Sequence, residues 1–418
     1  MSSPKLQAPR GTYDVLPEDA ARREVVEAAA GRILGAAGYR RIETPAFEAT
    51  ELFARGVGSS TDIVQKEMYT FEDGSGRSLT LRPEGTAPVA RAYIEHGMQK
   101  LPQPVKLWYL SSFFRYERAQ AGRQRQFWQV GTEAIGSADP AVDAESILLL
   151  AELLETLGVR DVRLRLGSLG TAETRAAYRE ELQAYLRANA DRLSEEVRAR
   201  IDQNPLRAFD ADHPGTREVM TAAPRLLDRL SGADAEHFAT VRALLDGAGL
   251  TYEVDPTLVR GLDYYARTVF EFTSDTLGAQ SGVGGGGRYD GLVEQLGGRA
   301  TPGVGWAAGI ERILLAAGEQ LVADPVVDLY VGHDPARSEQ RAAGFQIVHE
   351  ARRAGLAAQL ELAGRSLKGQ LKQADRIGAR YVAILGEEGA TVKEMESGEQ
   401  ETVEPQAVVH HVLRGRSL

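Results

Sequence analysis

Val105-Lys106-Leu107-Trp108-Tyr109-Leu110-Ser111-Ser112-Phe113-Phe114-Arg115-Tyr116-Glu117 and Gln126-Phe127-Trp128-Gln129-Val130-Gly131-Thr132-Glu133-Ala134-Ile135 are the two runs that decide the fold class. Both are long and rich in aromatic and β-branched residues, and the polar segment between them carries Gly122 and three arginines. The pattern predicts an antiparallel hairpin with a basic tip. Strand side chains alternate faces, so Phe127, Gln129, Gly131 and Glu133 share one face of the second strand, and Phe113, Arg115 and Glu117 share one face of the first. A flat aromatic, two carboxylates, an amide and a cation, with a glycine leaving room among them, suit a polar ligand lying on the sheet. A solvent-facing strand pair with ordinary ion pairs explains the charges but not Phe127 and Gly131.

Working outward, Glu18 to Ala37 repeats Val25, Val26, Ala29, Ile33 and Leu34 at helical spacing behind Pro17, with Gly38 to close it. A strand is expected at Tyr39 to Glu43. From Thr171 to Leu250 the chain turns to Ala, Arg, Glu and Leu with proline breaks, which reads as a helical insertion. Strand patterning resumes at Arg267 to Thr273, followed by the glycine-rich stretch Gly278 to Gly291 and by Gly303 to Trp306 leading into a helix at Ala308 to Ala317. After a linker at Val322 to Pro325, strands (Val326 to Val331, Ala357 to Leu362, Tyr381 to Leu385) alternate with helices (Pro335 to Ala354, Ser366 to Ile377). That order predicts a C-terminal α/β domain with a mostly parallel sheet. Expected domains are 1–170, 171–250 as the insertion, 251–325 and 326–418.

Composition narrows the function. Hydrophobic residues make up 43% of the 418 and charged residues 26%, which is a well-cored globular chain. There is no cysteine, and the seven histidines have no HExxH spacing, so disulfides, thiolate metal sites and a cysteine nucleophile are excluded and no protein-ligated metal is expected. The longest uncharged run, Thr276 to Gly287, is mostly glycine and polar, so no membrane span is expected. Met1 to Arg10 lacks an apolar signal core, and a cytoplasmic location is expected. A net charge of −10 argues against a coat that binds nucleic acid on every face. Local basic stretches remain, notably Ala351 to Arg380 with seven Lys/Arg against two Asp/Glu, a docking place for a polyanion or a solvated helix face.

Gly282-Val283-Gly284-Gly285-Gly286-Gly287 formally matches GxGxxG, yet Arg288-Tyr289-Asp290 follows instead of a helical pattern, so it is no dinucleotide fingerprint. Such glycines let backbone lie close under a ligand, or form a loop hinge. Gly364 to Gly369 has Gln370 where a P-loop needs lysine. Arg260, inside the apolar run Leu258 to Tyr265, is expected to pair or to bind an anion, as burying it alone costs several kcal/mol. Arg312, opening the helix after Trp306, is a further candidate for holding a phosphate, with a structural role as the alternative. Arg115, Arg260 and Arg312 are expected to converge on one anion.

The combination resembles the histidyl-tRNA synthetases among the class II aminoacyl-tRNA synthetases, over nearly the whole chain. Leu81-Arg82-Pro83-Glu84-Gly85-Thr86 looks like their amino-acid loop, Phe114 to Phe127 like motif 2, Gly309-Ile310-Glu311-Arg312 like motif 3, and Gly38 to Pro45 like the dimer-forming motif 1. Leu258 to Tyr265 and Gly286-Gly287-Arg288-Tyr289-Asp290 look like two runs specific to the histidine enzymes. Ala119, where proline is usual, and Trp128, where histidine is common, depart from the pattern.

The resemblance implies an α+β class II catalytic core (an antiparallel sheet flanked by helices), a helical insertion, a C-terminal α/β anticodon-binding domain and a homodimer. It implies ATP and Mg2+, with L-histidine and tRNA(His) as the other partners, no membrane, and a ligase that forms histidyl-adenylate. Residue by residue, Glu84, Thr86 and Gln129 would hold the α-amino group beside Gly85, and Glu133 and Tyr264 would meet the imidazole nitrogens. Tyr265 and Tyr289 would wall the pocket. Arg115 and Arg260 would act catalytically on the α-phosphate, Arg260 also lying against histidine. Arg123 and Arg312 would take the outer phosphates, Glu117 the adenine amino group, and Phe127 would stack on adenine. A regulatory relative without catalysis lacks the C-terminal domain and tends to lose the Arg260-to-Tyr264 run; this chain keeps both. Other class II synthetases share motifs 2 and 3 but not the two histidine-type runs.

Overall fold

The computed structural model describes residues 6–58, 61–118, 122–230, 232–258, 262–318, 321 and 327–416. Two compact units divide the chain, Met1–Leu321 and Val322–Leu418.

In the first unit the elements run α1 (Pro17–Ala36), β1 (Arg40–Arg41), β2 (Phe47–Ala49), α2 (Thr50–Gly56), β3 (Tyr69–Glu72), β4 (Ser78–Leu81), α3 (Thr86–Glu95), β5 (Val105–Phe114), β6 (Gln126–Ile135), α4 (Pro140–Thr156) and β7 (Val162–Ser168). They continue α5 (Ala172–Ala188), α6 (Glu195–Arg200), α7 (Pro214–Thr221), α8 (Gly232–Gly247), β8 (Glu253–Val254), β9 (Ala266–Ser274), β10 (Gly282–Arg288), α9 (Leu292–Gln295), β11 (Gly303–Gly309) and α10 (Ile310–Ala317). Eight strands form one sheet in the order β1-β5-β6-β11-β10-β9-β7-β8. Only the outermost pairings, β1 with β5 and β7 with β8, are parallel.

The predicted hairpin is β5 and β6, with Phe113 opposite Phe127, Ser111 opposite Gln129, Tyr109 opposite Gly131 and Leu107 opposite Glu133. The even-numbered partners (Trp108, Val130, Ala134) point the other way and join a core with Val26, Ile33 and Leu34 of α1 and Ile147, Leu150 and Leu154 of α4. One sheet face is thus closed by helices, and the other is left to carry the site. The chain feeds α4 into this layer cleanly, because Asp139 accepts the Ala141 N–H at 2.9 Å and Pro140 occupies the first turn. Between residues 171 and 250, α8 packs with the same layer through Phe238, Val241 and Leu245, whereas α5 contributes Tyr178, Leu182 and Leu186 to the core on the site face.

Within the glycine-rich stretch Gly278 to Gly291, expected to lie close under a ligand or to form a loop hinge, the structure has a regular element at Gly282–Arg288. It is a central strand, paired on both sides with β9 and β11. A Cβ on Gly286 would stand 1.9 Å from the Gly305 carbonyl oxygen, and one on Gly284 would meet Ala308 Cβ at 2.6 Å. Without side chains the run has no two-residue periodicity to read.

The second unit has β12 (Leu329–Gly332), α11 (Ser338–Arg353), β13 (Ala358–Leu360), α12 (Leu367–Arg376), β14 (Tyr381–Leu385), β15 (Ala390–Glu394), β16 (Gln400–Val403) and α13 (Val408–Arg416). Its sheet order is β13-β12-β14-β15-β16. The first three strands are parallel as expected, but β14, β15 and β16 are joined antiparallel, so the sheet is mixed instead of mostly parallel. The charged and polar composition of β15 and β16 hid this added hairpin.

Candidate active site

A cavity of about 340 Å3 opens on the free face of the eight-stranded sheet, lined by residues of β5, β6, β10 and β11, the start of α3 and the segment before β9. Its two ends differ in chemistry.

At the closed end lie two buried carboxylates. Glu133, fully buried on β6, accepts from Tyr289 Oη at 2.6 Å, Thr86 Oγ1 at 2.8 Å and Tyr109 Oη at 3.4 Å. Burial pushes its carboxyl up to about 8; the three hydroxyl donors oppose this, and neighbouring Glu84 adds to it. Glu84 sits just ahead of α3, where the helix leaves N–H groups without partners. Its carboxylate takes them, from Thr86 N at 2.7 Å and Ala87 N at 3.0 Å, and burial still raises its pKa. Tyr264 Oη reaches Glu84 at 3.5 Å, and its ring lies 4.7 Å from that of Tyr265 and 5.9 Å from that of Tyr289. Room for this cluster depends on absent side chains. A Cβ on Gly131 or on Gly85 would stand 2.5 Å from the Tyr109 ring, and one on Gly305 would stand 2.1 Å from Glu133 Oε2.

The open end is cationic. Arg115 is held by its Nε on the Pro83 carbonyl at 2.8 Å, with its guanidinium 5.4 Å from the Phe127 ring centre. Glu117 lies between Arg115 at 3.7 Å and Arg123 at 3.4 Å. Arg312, at the start of α10, donates to the carbonyls of Gly122, at 3.2 Å, and Gly282. Burial, and then Arg123 beside it, hold the Arg312 guanidinium below its ordinary pKa. Three arginines around one opening form a place for a polyanion with an aromatic plate beside it.

The sequence pattern of the histidyl-tRNA synthetase family matches residues 11–313, and that of the anticodon binding domain family matches residues 329–414. The histidine--tRNA ligase of Halorhodospira halophila is 49% identical, covering 99% of each chain. That of Halothermothrix orenii is 47% identical over 94% of this chain and 96% of its own. The apo crystal structure of S. aureus histidyl-tRNA synthetase superposes with a TM-score of 0.81 at 36% identity, over 98% of this chain and 100% of that one.

The chain belongs to the histidyl-tRNA synthetase family.

Of the expected site residues, Glu84, Gly85, Thr86, Arg115, Glu117, Arg123, Phe127, Gln129, Tyr264, Tyr265, Tyr289 and Arg312 all line the cavity, and Glu133 lies beneath it. Arg260 and Ala119 lie outside the described residues. Arg115 and Arg312 do share the cavity. Tyr289 does more than wall it, since it donates to Glu133. Trp128 points away from the site, with Arg23 stacked 5.4 Å from its ring.

Among the lining residues that the sequence reading does not single out are Tyr109 and Glu271. The alternation that placed Phe113 and Arg115 also places Tyr109 on that face. Glu271 sits opposite Gly285 in the β9–β10 register and pairs with Arg165 at 3.3 Å. Glu311, part of the motif 3 run, is taken up structurally: it accepts from Trp128 N, Arg23 and Tyr13 Oη, tying the N-terminal segment and β6 to α10.

Proposed function

We infer that this chain attaches L-histidine to tRNA(His) in two steps, forming histidyl-adenylate from histidine and ATP before transfer to the tRNA. The observation that carries the reading is the polarity of one cavity, with two buried carboxylates among phenols at one end and arginines beside an aromatic plate at the other.

Histidine would enter with its ring toward Glu133 and Tyr264 and its ammonium toward Glu84, Thr86 and Gln129. Its carboxylate then points at the cationic end. That carboxylate attacks the α-phosphorus of ATP and pyrophosphate leaves, so no general base is needed. Charge builds on phosphate oxygens that are already anionic, and fixed guanidiniums stabilise it without reorganisation. Arg115 would take the α-phosphate, with Arg260 assigned there by the resemblance; Arg123 and Arg312 would take the outer phosphates, and Phe127 and Glu117 the adenine ring and its amino group. Among the described residues no group of three His, Cys, Asp or Glu side chains is placed to hold a metal alone. Mg2+ would arrive with the triphosphate, and Glu271 is a lining carboxylate fit to meet it, where it would neutralise phosphate charge.

The pocket selects by pairing. A buried site built to satisfy both imidazole nitrogens leaves its own polar groups unpaired with a wrong amino acid, which supports rejection by ~10⁴ or more. The second unit supports tRNA binding: Lys368, Lys372 and Arg376 recur every four residues along α12 and are all exposed. Exposed Phe47 and Phe71, edge to face at 6.1 Å on the small β2-β4-β3 sheet, support a homodimer through the motif 1 side. No described helix is long and apolar enough to cross a membrane, and the proposed location is the cytoplasm. The proposed division is 1–170 and 251–325 for catalysis, 171–250 for the insertion and 326–418 for the anticodon. Exchange of pyrophosphate into ATP with a panel of amino acids tests the reading. Stimulation by histidine alone is expected, and stimulation by another amino acid, or by none, would overturn it.

A further inference from the structure

Arg288, the last residue of β10, is fully buried, and its guanidinium makes six hydrogen bonds to four different residues. Nε donates to both oxygens of Asp143 at 3.1 Å, Nη1 to the Ser137 carbonyl at 2.9 Å and Asp290 Oδ1 at 3.1 Å, and Nη2 to the Asp139 carbonyl at 3.3 Å and to Asp143 again. Asp143, equally buried on α4, also meets His237 Nε2 of α8 at 3.3 Å. This cluster belongs to the helical layer on the far face of the sheet from the cavity. A buried ion pair is by itself weak evidence for stability, since apolar residues of similar volume often do as well. What it adds is direction: a guanidinium whose donors are all taken fixes the backbone that bears it.

The next residue is Tyr289, on the cavity face. Its N–H donates to the Gly303 carbonyl at 2.7 Å, its ring lies on Gly303 where a Cβ would stand 2.3 Å away, and its phenol donates to Glu133 at 2.6 Å. Asp290 closes the loop. The Oδ1 that takes Arg288 also accepts Gly303 N at 3.3 Å, so one oxygen holds both the end of β10 and the start of β11. Recognition groups must be held within ~0.5 Å of their working position by neighbours that cannot turn.

We propose that Asp143 and Arg288 are positioning residues for Tyr289, and through it for Glu133, so that the histidine end of the cavity is set from the opposite side of the sheet. The inference rests on the reading of Glu133 and Tyr289 as the histidine pocket.

The test is a double-mutant cycle on the full chain, reading KM for histidine and for ATP in pyrophosphate exchange. Asp143→Asn keeps the shape and removes the charge. It should raise the histidine KM about tenfold and leave the ATP KM within about twofold, a split that general loosening of the fold would not give. Tyr289→Phe should also raise the histidine KM, and Asp143→Asn added to it should cost less than about a further twofold, because the phenol through which Asp143 acts is gone. Full additivity of the two losses would overturn the proposal. An unchanged histidine KM in Tyr289→Phe alone would instead sink the pocket reading beneath it. Should Asp143→Asn fail to fold, Asp290→Ala, at a partly exposed carboxylate, removes the shared oxygen. It must give the same split, and equal effects on both substrates would refute the positioning role.

Discussion

Thr86 Oγ1 donates to Glu133 Oε1 at 2.8 Å while Thr86 N donates to Glu84 Oε2 at 2.7 Å, so one residue at the start of α3 joins the two buried carboxylates of the site. Thr86→Val, similar in shape, removes only the hydroxyl donor. Histidine affinity should fall by about 1 kcal/mol, roughly fivefold, with ATP affinity unchanged. Calorimetric titration with each ligand checks this, and an equal loss for both would contradict it.

Glu133→Gln replaces a charge-accepting carboxylate by an amide of equal size. At about pH 8.5, above the value to which burial lifts the carboxyl, histidine binding should weaken by ~1.5–3 kcal/mol. At lower pH, where Glu133 carries a proton, the gap should narrow. Calorimetry at both pH values decides, and a gap independent of pH would contradict the assignment.

The same carboxyl makes stability depend on pH. Its pKa rises from an ordinary 4.5 to about 8 on folding, so between those values the folded chain binds the extra proton and the unfolded chain does not. Stability must then fall as pH rises through that window, since the slope follows protons bound unfolded minus protons bound folded. Glu133→Gln lacks this term. Its melting temperature relative to the parent should therefore rise steadily from pH 5 to pH 8, read by thermal denaturation across the range.

Arg115→Lys keeps the charge but loses the planar guanidinium, with its Nε donor to the Pro83 carbonyl and its stack on Phe127. Pyrophosphate exchange should drop by ~10²-fold with little change in melting temperature, in the range seen for losing one preorganised donor. A drop under about twofold would remove Arg115 from the catalytic set.

Deleting 326–418 should abolish charging of tRNA far more than histidine activation, because the second unit has its own core around Leu329, Val331, Ile347 and Ala383. Both steps are measured on one truncated preparation. Equal loss in both would mean that the unit chiefly supports the fold.

The alternation of β5 and β6 was legible because each strand is long and mixes large apolar with polar residues, so the face bearing Phe127, Gln129 and Glu133 could be assigned from spacing alone. The expected strand to Glu117 stops at Phe114; Arg115 N still reaches the Arg125 carbonyl at 2.9 Å, and the chain then turns away, with Tyr116 N bonding the Glu67 carbonyl at 2.7 Å. That turn depends on a partner distant in sequence. β10 was illegible for the opposite reason, as a strand made of glycine has no pattern of its own, and its pairing is imposed by β9 and β11.

By itself the sequence determined the chemistry available: which residue types occur, on which strand face they fall, and that cysteine and a P-loop play no part. Only the tertiary structure decided that Glu133 and Glu84, 49 positions apart, share one buried cluster, and that Tyr289 meets Glu133 across β11. It also made the Glu133 carboxyl a holder of protons near neutral pH. Ionisation in a protein is set by the surrounding water, charges and donors, and those are brought together by packing between strands that chain order does not place side by side.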